Sequence, residues 1–584
     1  MMVNKPLRFF LLGVLAVWTI VSIAALGGMY KLWWERERVN YLGKTVEVQR
    51  SLVLRNAGSP ETLLDVYKTL DMVWPQDITY SATGDQNQLS YLKYLLLPRI
   101  PAGSDHYSLD AGGVFTPPVA SAALPVEQKR NRPSILALLG SLLVFAGMTL
   151  VLKKLLKRLP FSFPELFGCT LLICMVCVVL SRAVFAGAVP AFYLLTLVGV
   201  TSWIWFLIRK HFGNAAQSLE LLSEDRSCKD HPLSSRAKIW QLIVPAIIAL
   251  SILWSLLMSI IVVPDDWDAW AIWAAKAKVL ALGHGPLFDV SHFGHADYPL
   301  LWPSVWAYSG WLGGGWEEMW SRGWGGVFLL LVVWEIVVII ERVTGRRDLG
   351  MLGGALFVSM PMVPLIASWS YAEAPFWLLT TACIGCLLLE GGSAGGKTKV
   401  FIAALLAAAA AYTKNEGVMF AVITCFWMLF VPGIRKPKQI LVFVVTFSLC
   451  YFPWFYWTHV ALQLGSHAVS GFHLDLENLQ RAFSRIPPAL EAIQKIWLDV
   501  KQWNIVLWLC LCFACLGLFT SEGRKWIIIP AGMLLGYFII IIFHQAEIYW
   551  QVGTAWNRLT LHAIPLLLIG GVIQARELFL SKKE

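Results

Sequence analysis

LIVPAIIALSILWSLLMSIIVVPDDWDAWAIWAAKAKVL, residues 242–280, decides what kind of protein this chain makes. Its first half is an apolar run of about 20 residues, long enough to cross the hydrocarbon core of a bilayer. Its second half sets Asp265, Asp266 and Asp268, with Trp267, Trp270 and Trp273, at the edge of that span, where charge is costly. Pro264 ends the span, and an aspartate just beyond it accepts backbone N–H groups and meets the positive end of the next helix. The spacing of three predicts Asp265 and Asp268 on one helix face. The tryptophans recur at the same interval, and tryptophan favours the headgroup level. The stretch is therefore expected to be a short amphipathic helix lying in the interface, its carboxylates turned toward the protein. A capped helix with a solvated acidic end is the plainer reading, but ionisable groups at membrane depth are functional candidates by default.

Similar apolar runs recur along the whole chain. The 584 residues are 57% hydrophobic and only 14% charged, with a mean hydropathy of +0.62, whereas soluble chains carry about a quarter charged residues. This predicts an all-α polytopic membrane protein with spans near 8–29, 134–152, 163–186, 189–208, 239–263, 324–341, 349–367, 374–390, 400–413, 416–432, 439–458, 503–520, 526–543 and 561–576, a bundle of about 13–14 transmembrane helices. The expected organisation is an N-terminal anchor (1–30), a small exoplasmic domain (31–133), added helices with a cytoplasmic loop (134–238) and a transmembrane core (239–584). Within 31–133, ITYSAT reads as a short strand and YLKYLLLPRIP as amphipathic, and no chemistry is visible. Of eleven cysteines, ten lie in apolar runs and read as small apolar helix residues rather than metal or redox ligands; Cys228 alone is in a polar loop.

The net charge of +10 lies mostly in short clusters between spans, which points to topology rather than nucleic acid, and no nucleic-acid partner is expected. Lys153, Lys154, Lys157 and Arg158, then Arg346 and Arg347, then Lys397 and Lys399, then Arg435, Lys436 and Lys438, fall on one side, expected to be cytoplasmic. Every unusual polar cluster then falls on the other face: the opening stretch, HADYPLLWP (295–303), SWSYAEAP (368–375), YTKNEG (412–417) and TAWNRLTLH (554–562). The cytoplasmic loops have no Gly-rich phosphate loop with its lysine, so nothing points to ATP.

Glu373 reads as a first-turn cap or part of a site, Lys414 and Glu416 as a solvated turn or part of a site, and Arg558 and His562 as the mouth of the last span. At an outer face without nucleotides, an activated donor must be carried by lipid. A polyprenyl-phosphate sugar suits this: its phosphate leaves readily, the acceptor hydroxyl needs a base, and the released phosphate needs cations. Asp265, Asp266 or Asp268 can be the base, Lys414 and Arg558 the cations, and the tryptophans a groove for lipid or sugar. No cofactor is certain; Asp265 and Asp268, with His295, could hold a divalent metal ion.

In order and topology DDWDAW, GHGPLF, DYPLLWP, YAE, TKNEG and Arg558 together resemble the GT-C superfamily of integral-membrane glycosyltransferases, in particular its protein O-mannosyltransferase and aminoarabinose transferase branch, over roughly 240–580. The resemblance implies that Asp265 or Asp266 matches the catalytic base and Glu373 the second acidic residue, and that His295, Asp297, Tyr298, Lys414, Glu416 and Arg558 contact substrate. It also implies inverting transfer from a polyprenyl-phosphate sugar to a glycan, lipid or protein acceptor, in a bacterial inner (plasma) membrane with the site facing the periplasm. The chain departs from that family in having Asp297, Tyr298 and a single Pro299 where relatives carry two prolines after Lys or His. It also has four or five spans before the acidic loop. Two other functions fit the composition. A lipid-linked-glycan flippase or transporter would show mid-span charge, of which Glu335 is the main instance, broken helices and two related halves. An O-antigen-ligase-like transferase would use a loop rich in Arg and His, such as His459, His467, His473, Arg481 and Arg485.

Overall fold

The computed structural model describes residues 5–32, 44, 48–50, 135–156, 159–185, 188–212, 235–282, 295–314, 316, 318–388, 396–431, 434–464 and 475–580, with four short strands between 79 and 116. The helices are α1 (Lys5–Leu32), α2 (Ile135–Leu155), α3 (Phe163–Phe185), α4 (Val189–Phe212), α5 (Ser235–Ile261), α6 (Ala275–Leu282), α7 (Leu301–Leu312), α8 (Trp324–Thr344), α9 (Arg347–Val358), α10 (Met362–Ser368), α11 (Glu373–Leu388), α12 (Gly396–Ala411), α13 (Glu416–Phe430), α14 (Pro437–Phe455), α15 (Leu476–Trp497), α16 (Val500–Trp503), α17 (Val506–Gly517), α18 (Ser521–Phe543) and α19 (Ile548–Leu580).

The chain is a polytopic helical membrane protein. Among the described residues eight helices are long and apolar enough to cross a bilayer, or nine if α9 and α10, which meet at 69°, make one broken span. That is fewer than the fourteen spans expected. Each of those segments is helical in its described residues, but α11, α12, α13 and α17 are 16, 16, 15 and 12 residues long. At 1.5 Å per residue they reach roughly 18–24 Å, short of a core about 30 Å thick. A small sheet of order β2-β1-β3-β4 forms from β1 (Thr79–Ala82), β2 (Ile100–Pro101), β3 (Tyr107–Leu109) and β4 (Phe115–Thr116). β1 lies within ITYSAT. It pairs parallel with β2 and β3, and β3 runs antiparallel to β4 with Ser108 opposite Thr116.

One continuous hydrophobic core runs from Trp18 to Ile573, so the helices of 134–212 share it with those of 239–584. α8 and α19 are buried over most of their length, while α4 and α14 are mostly exposed at the periphery, as lipid-facing helices should be. Residues 48–50 dock on this core. Gln49 donates to the Ile261 carbonyl (3.1 Å) and accepts from Val263 N–H (3.1 Å), filling backbone groups freed where α5 ends. Arg50 pairs with Glu318 at 2.7 Å.

The acidic stretch differs from the expected interfacial helix. Val263 to Asp265 have no regular structure, the helix begins with a π-helical segment at Asp268–Ala274, and α6 continues it. Asp265 thus precedes the helix and does not share a helix face with Asp268. Trp267 is 41% exposed, but Trp270 and Trp273 are buried, as is every residue from Ala269 to Ala281. The cause is composition: WAIWAA is apolar all round, and such a helix is stable inside protein rather than along a surface.

Candidate functional site

Four distant segments meet where α5 ends: the Asp266–Asp268 turn, the start of α11, the α12–α13 turn and the first third of α19. Asp266 caps the π-helical segment, its Oδ1 accepting from Asp268 N–H at 3.3 Å and its carbonyl from Ala269 and Trp270 N–H at 3.1 and 3.3 Å. Tyr371 O–H also donates to Oδ1. Burial raises the Asp266 carboxyl above its ordinary range, against the pull of that hydrogen bond and of Arg558. Asp268 forms an ion pair with Arg558, and both side chains are 22% exposed. The Arg558 guanidinium lies 4.9 Å from the centre of the Tyr371 ring and 4.0 Å from Glu373 Oε1.

Lys414 sits deeper, 3.0 Å from Glu373 Oε1 and 3.4 Å from Glu416 Oε1. Of the two readings of YTKNEG, the solvated turn does not hold: Lys414 is only 6% exposed and Glu373 1%. Burial pushes the Lys414 ammonium down, but the two carboxylates outweigh it and hold it above the usual lysine range. Glycine is required at 417, because a Cβ there would collide with the Ala410 carbonyl. That close approach lets α12 turn back into α13 with Gly417 N–H on the Lys414 carbonyl at 2.9 Å. Oε2 of Glu373 and Oε2 of Glu416 are both buried without a hydrogen-bond partner among the described residues. Asp266, Asp268, Glu373 and Glu416 therefore face two cations, Lys414 and Arg558.

The 295–300 turn forms a second wall. Asn415 donates to Asp297 Oδ2 at 2.7 Å, and Leu301 N–H donates to the Tyr412 carbonyl at 2.9 Å, joining this turn to the α12–α13 turn. The His295 ring stacks on Tyr298 (4.8 Å), Tyr298 stacks on Trp273 (5.5 Å), and Trp267 meets His295 edge-on at 6.4 Å. Beneath them lies a residue the sequence did not flag. Lys276 is buried and donates to the main-chain carbonyls of His295 (2.7 Å) and Tyr298 (2.9 Å).

Three further residues support the site. Arg322, fully buried, donates to the carbonyls of Val262 and Ser368 and to Ser370 Oγ. It thereby ties the end of α5 to the elbow before Tyr371. Ser370 has φ +65°, an unfavourable value for a residue with a Cβ, and Trp302 Nε1 holds its carbonyl at 2.7 Å. His562 is buried one turn beyond Arg558, with Nδ1 2.9 Å from Tyr537 Oη.

Asp266, Asp268, Glu373, Lys414, Glu416 and Arg558 are thus brought together, with His295, Asp297 and Tyr298 alongside, and Asp265 lies half-buried in the chain leading into the cluster. Among the described residues no three His, Cys, Asp or Glu side chains gather as a metal set, so Asp265, Asp268 and His295 do not form the divalent site suggested for them. GHGPLF, His467 and His473 lie outside the described residues. Arg481 and Arg485 donate to the carbonyls of Phe543 (3.1 Å) and Ala546 (2.8 Å), anchoring α15 to the end of α18 away from this cluster. No family model matches the chain, and no curated protein or solved structure does either.

Proposed function

We propose that the protein is a membrane glycosyltransferase that moves a sugar from a polyprenyl-phosphate donor to an acceptor hydroxyl on the exoplasmic face. The observation that supports this best is the cluster itself. Four carboxylates and two cations from four separate segments converge beside an aromatic wall, with Asp268 and Arg558 each 22% exposed, as a site requires and a set of helix caps does not. Asp266 is the base. Tyr371 and the Asp268 amide fix its Oδ1, which leaves Oδ2 for the acceptor, and its carboxyl titrates above the ordinary aspartate range. The acceptor hydroxyl gives its proton to Asp266 while its oxygen attacks the anomeric carbon. The bond from that carbon to the phosphate oxygen breaks, and polyprenyl phosphate leaves with the electron pair. Arg558, the more exposed of the two cations, receives the phosphate; Lys414 is the buried partner of Glu373 and Glu416. The His295, Tyr298 and Trp267 wall gives the sugar or acceptor an apolar face to stack on.

The bent pair α9 and α10 and the buried Glu335 favour a second reading, transport of a lipid-linked glycan. One experiment separates the two. The protein is reconstituted in liposomes with a panel of polyprenyl-phosphate sugars, and release of free polyprenyl phosphate is followed by mass spectrometry. A transferase consumes at least one donor in the presence of a hydroxyl acceptor. Movement of the lipid across the bilayer with every donor intact would leave the transport reading, and no change at all would remove both.

A further inference from the structure

Lys276 is a lysine whose partners are main-chain carbonyls, where Lys414 is held by carboxylates. It is buried, yet among the described residues no carboxylate lies within ion-pairing distance, and its ammonium is held by two main-chain carbonyls, with the Tyr298 ring 6.0 Å away. Those carbonyls belong to the two ends of one turn. The His295 carbonyl also accepts from Tyr298 N–H at 2.9 Å, so the lysine closes a turn that the backbone has only just begun. His295 has φ +48°, a value that a side chain disfavours and that persists only where the surroundings fix it. The far side of the same turn is fixed by Asn415 and by the Tyr412 carbonyl. The turn is therefore suspended between the acidic helix and the Lys414 turn, and Lys276 is its attachment to the former.

We propose that Lys276, through its ammonium, is the positioning residue that holds the 295–298 turn and with it the His295–Tyr298 wall and Asp297 against the acidic helix. It touches no reacting atom; it acts through the turn. Among the described residues the titratable groups facing it are Asp297, whose charge partly restores the ammonium, and the side chains of His295 and Tyr298. Burial is the larger influence and brings Lys276 down to about 7, so the tether weakens as a neutral amine replaces the ammonium above that pH.

The test uses the full-length protein in lipid nanodiscs and labels His295 with diethyl pyrocarbonate, read by peptide mass spectrometry, from about pH 6 to about pH 9, a range spanning the tether's titration. Taking the ratio of the Lys276→Met rate to the wild-type rate removes the titration of His295 itself. Loss of two hydrogen bonds from a charged donor predicts a ratio of about tenfold on the acid side, falling toward one on the alkaline side. Lys276→Arg, charged throughout, keeps the slow acid-side labelling at every pH. A ratio of one at all pH values, or a raised ratio that does not change with pH, overturns the proposal. A second arm rests on the transferase reading: Lys276→Met raises KM for the acceptor about tenfold and changes kcat by less than about threefold. An equal loss in kcat would make Lys276 a catalytic group instead. If no donor is consumed at all, the transferase reading fails while the labelling still decides the role of Lys276.

Discussion

The two ends of α8 bury charge in different ways. Arg322 at one end and Arg342 near the other are separated by roughly 30 Å of helix. At the Arg342 end, Glu165 N–H donates to Ser162 Oγ at 3.1 Å while Ser162 N–H donates to Glu165, a reciprocal cap that starts α3. Arg342 closes on Glu165 at 2.8 Å, and Ser162 Oγ donates to Glu335 at 2.7 Å. Apart from one oxygen of Glu335, the architecture of a helix start accounts for every group there. At the Arg322 end, four carboxylates from three segments face Lys414 and Arg558, oxygens of Glu373 and Glu416 stay unpartnered among the described residues, and Asp268 is 22% exposed. Buried charge alone therefore does not mark a site. What sets the Arg322 end apart is that its acids come from three segments and that one of them, Asp268, reaches solvent, whereas Glu165 and Glu335 are fully buried.

This contrast can be broken experimentally, and the largest effect belongs to Lys414. Lys414→Met strands Glu373 and Glu416 and should cost about 3–5 kcal/mol in thermal unfolding of the purified protein, with Glu373→Gln in the same chain restoring much of it. A loss below about 1 kcal/mol would mean that the cluster is solvated and not a buried network. Next comes pH. Because burial raises the Asp266 carboxyl, the acid limb of kcat/KM should lie above the ordinary aspartate range and fall about tenfold per pH unit below it, since only the ionised form accepts a proton. A limb in the ordinary range would exclude Asp266 as the base. At the opposite end, Ser162→Ala removes the cap of α3 and should cost about 1–2 kcal/mol while leaving transfer unchanged. A lost activity there would erase the distinction between the two ends. Smallest of all, Lys495→Ala breaks the exposed pair with Glu491 and should leave the melting temperature unchanged, measured by the same unfolding assay.

Much of this arrangement could be read in the sequence because helix termini carry local signals. Pro264, the YAE elbow and the TKNEG turn each bring polar residues together at a break between apolar runs, and all three breaks do meet. Side-chain partners were less legible. Lys276 sits in AAKAKVL as one lysine of two, and nothing local says that its acceptors are carbonyls some twenty residues on. Tyr371 and Arg322 were missed for the same reason: their partners, Asp266 and Val262, are remote in sequence. The interfacial helix failed because regularly spaced tryptophans look amphipathic until the alanines between them are seen to be buried too. The span count is lower among the described residues because an apolar run gives composition, whereas crossing needs uninterrupted length, and α11, α12, α13 and α17 are short.

The central claim is that Asp266 takes the acceptor's proton. The most direct test is the turnover of Asp266→Asn beside Asp265→Asn in the reconstituted assay, with the donor that the wild type consumes. Asp266→Asn should lower kcat about 10²–10⁴-fold, while Asp265→Asn, outside the capped turn, stays within about tenfold of wild type. Full turnover by Asp266→Asn would contradict this mechanism.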